Sequence, residues 1–170
     1  AVLEIADAAL DDWPPERRPR LRAWLQLRRG QAAHALALPF AEDASTGDAV
    51  PRQLLRALRA GDAGEPGYRA ALESAEQRAI PMEVAAAVGA YARWRLAQGR
   101  IAEAGGLVGR AAPWAEHDFA LALLQVELYA RLGQHEQWEA ALARAQALAG
   151  ERPIPPALLA PLPPAAVAGP

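Results

Sequence analysis

Gly99 and Gly133 stand 34 residues apart, each closing one Ala/Leu-rich run and opening another, and this spacing restricts the chain to few folds. A helical hairpin of that length cannot bury its apolar stripe alone, so neighbouring hairpins have to stack. Val, Ile, Thr, Tyr and Phe are sparse and never alternate over a useful length, whereas Ala, Leu, Arg, Glu and Gln abound. The expected class is therefore all-α: stacked antiparallel helical hairpins, about seven to nine helices, with a Pro-rich C-terminal tail.

The chain has 170 residues and no cysteine. That length suffices to bury roughly two-thirds of the unfolded surface without a staple. Disulfide frameworks, Cys-ligated zinc and thiol catalysis are excluded, and the compartment, cytoplasmic or periplasmic, stays open. All 18 basic residues are arginine, a bias expected of a GC-rich bacterial genome. The formal net charge of -2 gives no general drive toward nucleic acid. No run of about 18 apolar residues could cross a bilayer without a proline in it. The start at Ala1, in mid-helix style with no signal-like core, leads us to expect an excised piece of a longer protein.

Prolines and glycines punctuate the helices. The pattern predicts a helix over Val2 to Leu10 ended by Asp11-Asp12-Trp13-Pro14-Pro15, then a hairpin of Arg20 to Arg29 and Gln31 to Leu38 around Gly30. Ala41 to Asp48 is polar and aperiodic, the best internal loop. A second hairpin runs from Pro51 to Ala60 and from Pro66 to Ala79, with Gly61-Asp62-Ala63-Gly64 turning between them. Met82 to Gln98 carries the stripe Val84, Val88, Tyr91, Ala92 and Leu96, and Ile101 to Trp114 is its partner. In that partner Gly105, Gly106 and Gly109 are expected to serve a close helix contact, since glycine otherwise weakens a helix. Phe119 to Leu132, with Leu121, Leu124, Leu128, Tyr129 and Leu132 apolar, pairs with His135 to Ala149, with Trp138, Leu142, Ala145 and Leu148 apolar. Pro153 to Pro170 is expected to be non-helical, either an extended ligand for a proline-reading partner or a segment folded back through Leu158, Leu159 and Leu162 to cap the array. Residues 1–152 thus read as a single domain and 153–170 as a tail or linker.

On Ala92, Gly99, Ala104 and Ala111 in one unit and Tyr129, Gly133 and Ala145 in the next, the chain resembles the tetratricopeptide repeat, a helical hairpin of 34 residues. The clearest units are 85–118 and 119–152. Arg95 stands where that pattern has an aromatic, Val126 where it has a small residue, and Trp138 where it has alanine. A register of 36 residues also pairs Arg95-Leu96 with Arg131-Leu132 and Glu103-Ala104 with Glu139-Ala140, so the period is open between the two. The resemblance implies peptide binding in a concave groove formed by the first helices. Its implied partner-binding residues are Arg93 and Leu96 from one unit and Leu123, Glu127 and Ala130 from the next, with Gly89 beside them.

Little in the chain suits catalysis. His34, His117 and His135 have no partners at metal-ligand spacing, no nucleophile-elbow or phosphate-loop pattern occurs, and only Ser45, Thr46 and Ser74 carry aliphatic hydroxyls. No catalytic residue, metal site or cofactor is expected. Arg17, Arg18, Arg20, Arg22, Arg28 and Arg29 flank Trp24 and suit an acidic peptide better than nucleic acid, because Glu4, Asp7, Asp11 and Asp12 lie just upstream. Of the five tryptophans, most are expected to anchor packing. The functional expectation is a non-catalytic scaffold that binds a protein or peptide. The alternative is a sensor or regulatory domain of a larger, membrane-anchored bacterial signalling protein, and an enzyme fragment is the weakest reading.

Overall fold

The computed structural model describes residues 23–28, 31 and 49–160. Among them every regular element is helical and none is a strand. The chain divides into two compact units, Ala1–Ile80 and Pro81–Pro170, a division at Ile80 that the single-domain reading of 1–152 does not contain. Residues 23–28 are helical, within the helix expected from Arg20 to Arg29. The helix expected over Val2 to Leu10, the break at Pro14-Pro15, the Ala41 to Asp48 loop, His34, Leu162 and Arg17, Arg18, Arg20, Arg22 and Arg29 lie outside the described residues.

In the first unit, α1 (Ala49–Arg59) takes Pro51 into its first turn, where a missing N–H costs no helical bond. A single 3-10 turn, Gly61–Gly64, leads to α2 (Glu65–Arg78), which carries Glu65 and Pro66 at its start and Arg78 at its end, as the helix dipole favours. Leu54, Leu55 and Ala57 of α1 and Tyr68, Ala71, Leu72 and Ala75 of α2 are buried, and the two helices pack together. Their closeness depends on glycine: a Cβ on Gly64 would lie 2.3 Å from the Ala57 carbonyl oxygen. α2 ends on Ala79, in the left-handed conformation at φ 51°, whose N–H donates to the carbonyls of Ala75 and Glu76. Ala79 therefore lies off the apolar stripe, exposed.

The second unit is built from α3 (Pro81–Ala97), α4 (Ile101–Arg110), α5 (Ala112–Ala115), α6 (Phe119–Leu132), α7 (His135–Ala149) and α8 (Pro156–Leu159). α6 and α7 have the bounds that the apolar pattern predicts. The helix expected from Ile101 to Trp114 instead breaks at Ala111, because Pro113 has no N–H to donate and its ring would clash with the preceding turn. Leu132, expected in the α6 stripe, is 43 % exposed at the helix end.

The two hairpin turns are built alike. At the first, the Gly99 N–H donates to the Leu96 carbonyl at 3.0 Å and the Arg100 N–H to the Arg95 carbonyl at 2.9 Å. At the second, Gly133 donates to Ala130 at 3.2 Å and Gln134 to Tyr129 at 3.0 Å. Both glycines are left-handed, φ 74° and 67°, which closes a Schellman cap at the same offset. Burial follows the same period: Ala87, Val88, Tyr91 and Ala92 are buried, and so are Leu121, Ala122, Gln125 and Val126, 34 positions on. The register of 36 fails here, since Arg95 and Leu96 are buried while Arg131 and Leu132 are exposed.

The glycines of α4 do not mediate close packing. A Cβ on Gly106 or Gly109 would meet nothing within 4 Å, and one on Gly105 only Leu128 Cδ2 at 3.8 Å. The tail also departs from expectation, since Pro156–Leu159 forms one helical turn closed by the Leu158 N–H on the Pro155 carbonyl. Residues up to Leu158 fold back, and Ile154 and Leu158 pack on the core of α6 and α7. Both side chains are only half-buried, so each contributes about half of the roughly 1.5–3 kcal/mol of full burial. Ordering the backbone costs about 1 kcal/mol or more per residue, reduced here by prolines, so this docking is close to balanced.

Candidate functional site

α6 packs on both α3 and α4. A Cβ on Gly89 would lie 3.6 Å from Leu121 Cδ2, and the Leu96 carbonyl receives Arg131 Nη1 at 3.2 Å, so α3 and α6 run in the same direction. Beside this contact an open strip follows helical spacing. α3 contributes Ala86, Ala90, Arg93 and Ala97, and α6 contributes Ala120, Leu123, Glu127 and Arg131, all half-buried or exposed.

Two arginines span the strip in opposite senses. Arg93 of α3 donates from Nη2 to the Ala120 carbonyl in the first turn of α6 at 3.1 Å. Arg131 of α6 reaches the last turn of α3 at the Leu96 carbonyl, where the helix dipole favours a cation, and pairs with Glu127 at 2.8 Å. Glu127 thus faces Arg131, its partner one helical turn on. Of the residues implied by the repeat resemblance, Arg93 is exposed and Glu127 half-buried on this strip. Leu96 is 2 % exposed and takes part through its carbonyl rather than its side chain. Leu123 and Ala130 are half-buried and pack against the Val126 and Trp138 cluster.

Behind the strip, Arg95 occupies the position where an aromatic is expected and is 4 % exposed. Its Nη2 donates to the Tyr91 hydroxyl at 2.7 Å, and its guanidinium carbon lies 5.0 Å from the Tyr91 ring centre and 5.1 Å from that of Trp94. Nη1 lies 3.4 Å from Glu103 Oε2, which ties α3 to α4. The guanidinium thus lies to one side of both rings, whose centres are 6.0 Å apart, and Val126, where a small residue is expected, is fully buried. Between α6 and α7, Arg144 donates to the buried Gln125 Oε1 at 3.0 Å. Asp118 caps α6 by accepting the Leu121 N–H at 2.9 Å.

Comparison with family models, curated proteins and solved structures finds no match. Among the described residues no group of three or more His, Cys, Asp or Glu is placed to hold a metal, and no helix is long and apolar enough to cross a membrane. His117 is exposed and His135 half-buried. Trp138 is buried as an anchor should be, whereas Trp24, Trp94 and Trp114 are half-buried. Arg131 and Arg95 were not singled out by the sequence as site residues or supports. The Asp118 cap had a legible signal, a carboxylate just before an apolar helical run.

Proposed function

We propose that this chain is a non-catalytic scaffold of tetratricopeptide-like hairpins that receives a peptide or protein along the α3 and α6 strip. The observation that carries the reading is the like construction of the two turns at 34 residues, with α6 stacked parallel to α3 and an open strip beside their contact. Arg93 offers guanidinium donors to a carboxylate or main-chain carbonyl, and Glu127 offers an acceptor to a partner amine or amide. Because helices and bridging arginines hold these groups, little ordering cost falls on the scaffold when a partner docks.

Affinity capture from a GC-rich bacterial lysate tests the reading with wild-type chain and with Arg93→Ala and Glu127→Ala. Both substitutions are expected to reduce capture of a partner while leaving the melting temperature within a few degrees, as exposed polar contacts contribute little to stability. Undiminished capture by both variants would remove this strip as the binding surface.

A further inference from the structure

We propose that the α6 and α7 pair also forms a seat for a short proline-flanked aliphatic peptide, and that residues 153–159 of the chain itself occupy it as a detachable strap. The seat is apolar and aromatic. Ala122, Val126, Trp138, Ala141 and Ala145 form its buried base, with Phe119 and Tyr129 packed against them. Trp138 is 8 % exposed, and its indole N–H is buried without a hydrogen-bond partner.

The present occupant shows which chemistry fits. Arg152 fixes the strap at its root: its N–H and Nε donate to the Ala149 carbonyl, Nη2 donates to the Leu148 carbonyl, and the guanidinium lies 4.2 Å from the Phe119 ring centre. Beyond that anchor the strap holds on by two side chains, Ile154 and Leu158, four positions apart, while Pro153, Pro155 and Pro156 are exposed. Prolines preset φ, so a segment of this composition loses little freedom on docking, a known basis for reading proline-rich peptides with aromatic surfaces. A strap seated by two half-buried side chains can exchange with a peptide of the same chemistry. The proposal does not rest on the Arg93 and Glu127 strip, although Leu123 of that strip packs against the same cluster.

The test uses the full chain and a fluorescein-labelled peptide of residues 152–160, followed by anisotropy. In Ile154→Asp/Leu158→Asp the internal strap is unseated, and saturable binding is expected to be about twofold tighter than in wild type, the factor by which a strap docked near balance competes. A peptide with the same two replacements is expected not to bind. Equal binding by both proteins, no binding by a double variant of unchanged helical signal, or loss of that helical signal each overturns the proposal. In wild type, amide exchange at Leu158 is expected to proceed through local opening with α7 still protected, and protection equal to that of α7 would make the segment an integral part of the fold and overturn it as well.

Discussion

Gly67 lies directly against Ala57: a Cβ added to Gly67 would come 2.9 Å from the Ala57 Cβ and 3.2 Å from its Cα. At Gly67, α2 has no room for a methyl group, and the obstruction is the Ala57 backbone and Cβ rather than a flexible side chain. Gly67→Ala is therefore expected to destabilise the first unit by about 1–3 kcal/mol, with Gly64→Ala at least as severe because its Cβ would meet a carbonyl oxygen. Urea unfolding followed by helical circular dichroism measures the difference, and an unshifted midpoint would contradict the close approach.

The α4 glycines predict the opposite sign. Gly106 and Gly109 have open space where a Cβ would go and no positive φ. Alanine at either position is expected to stabilise the second unit by up to about 1 kcal/mol, since it restricts the unfolded chain and suits a helix. A rise in melting temperature for each single variant, and a larger rise for the pair, is the result to look for.

Left-handed positions offer a matched pair of tests. Gly133 meets nothing within 4 Å at its missing Cβ, so Gly133→Ala probes conformation alone and is expected to cost about 1–2 kcal/mol. Ala79 already holds φ 51°, so Ala79→Gly is expected to relieve strain and gain up to about 1 kcal/mol. Denaturant midpoints moving in the same direction for both would contradict the cap geometry.

Arg95 supports the strip from behind, with its guanidinium on the Tyr91 hydroxyl and both neighbouring rings. Arg95→Ala is expected to destabilise by about 1–3 kcal/mol through lost packing and the lost hydrogen bond to the Tyr91 hydroxyl. Glu103→Ala is expected to cost less than Arg95→Ala, about 1–2 kcal/mol, because Glu103 is half exposed and its pair with Arg100 is at the surface, while the buried Arg95 guanidinium loses this carboxylate. Comparing the two variants separates packing from charge pairing.

Tyr68 sets an alkaline limit. Burial pushes its phenol from 10.0 up to about 12. The unfolded chain therefore loses this proton at lower pH than the folded one, so the contribution is complete below about pH 10 and fades as pH climbs toward 12. Thermal melts between pH 9 and pH 11.5, a range set around the ordinary tyrosine value of about 10, are expected to show a decline that Tyr68→Phe flattens.

Local chemistry explains what was legible beforehand. The apolar period and the glycine caps placed α6 and α7 at their observed bounds, because a left-handed C-cap and a helical stripe depend on residues a few positions apart. The expected Ile101 to Trp114 helix runs through Pro113, and the observed break at Ala111 is what a missing N–H requires. For the strip, it was the repeat resemblance that put Arg93 and Glu127 on an open face. It had no means of showing that Arg93 reaches Ala120 or that Glu127 pairs with Arg131, since long side chains choose among partners that only packing brings near.

By itself, then, the sequence determined the all-helical class, the hairpin turns at Gly99 and Gly133 and the run of apolar stripes, all of them consequences of interactions within one or two helical turns. The tertiary structure decided which glycines stand where helices touch, Gly64 and Gly67 rather than Gly105, Gly106 and Gly109. It also set the two glycine turns and the burial beside them at an offset of 34 rather than 36, placed Arg95 against both Tyr91 and Trp94, and folded Ile154 and Leu158 back on the last hairpin. Each of these turns on the distance between segments far apart in the chain, and composition and periodicity carry no information about that distance.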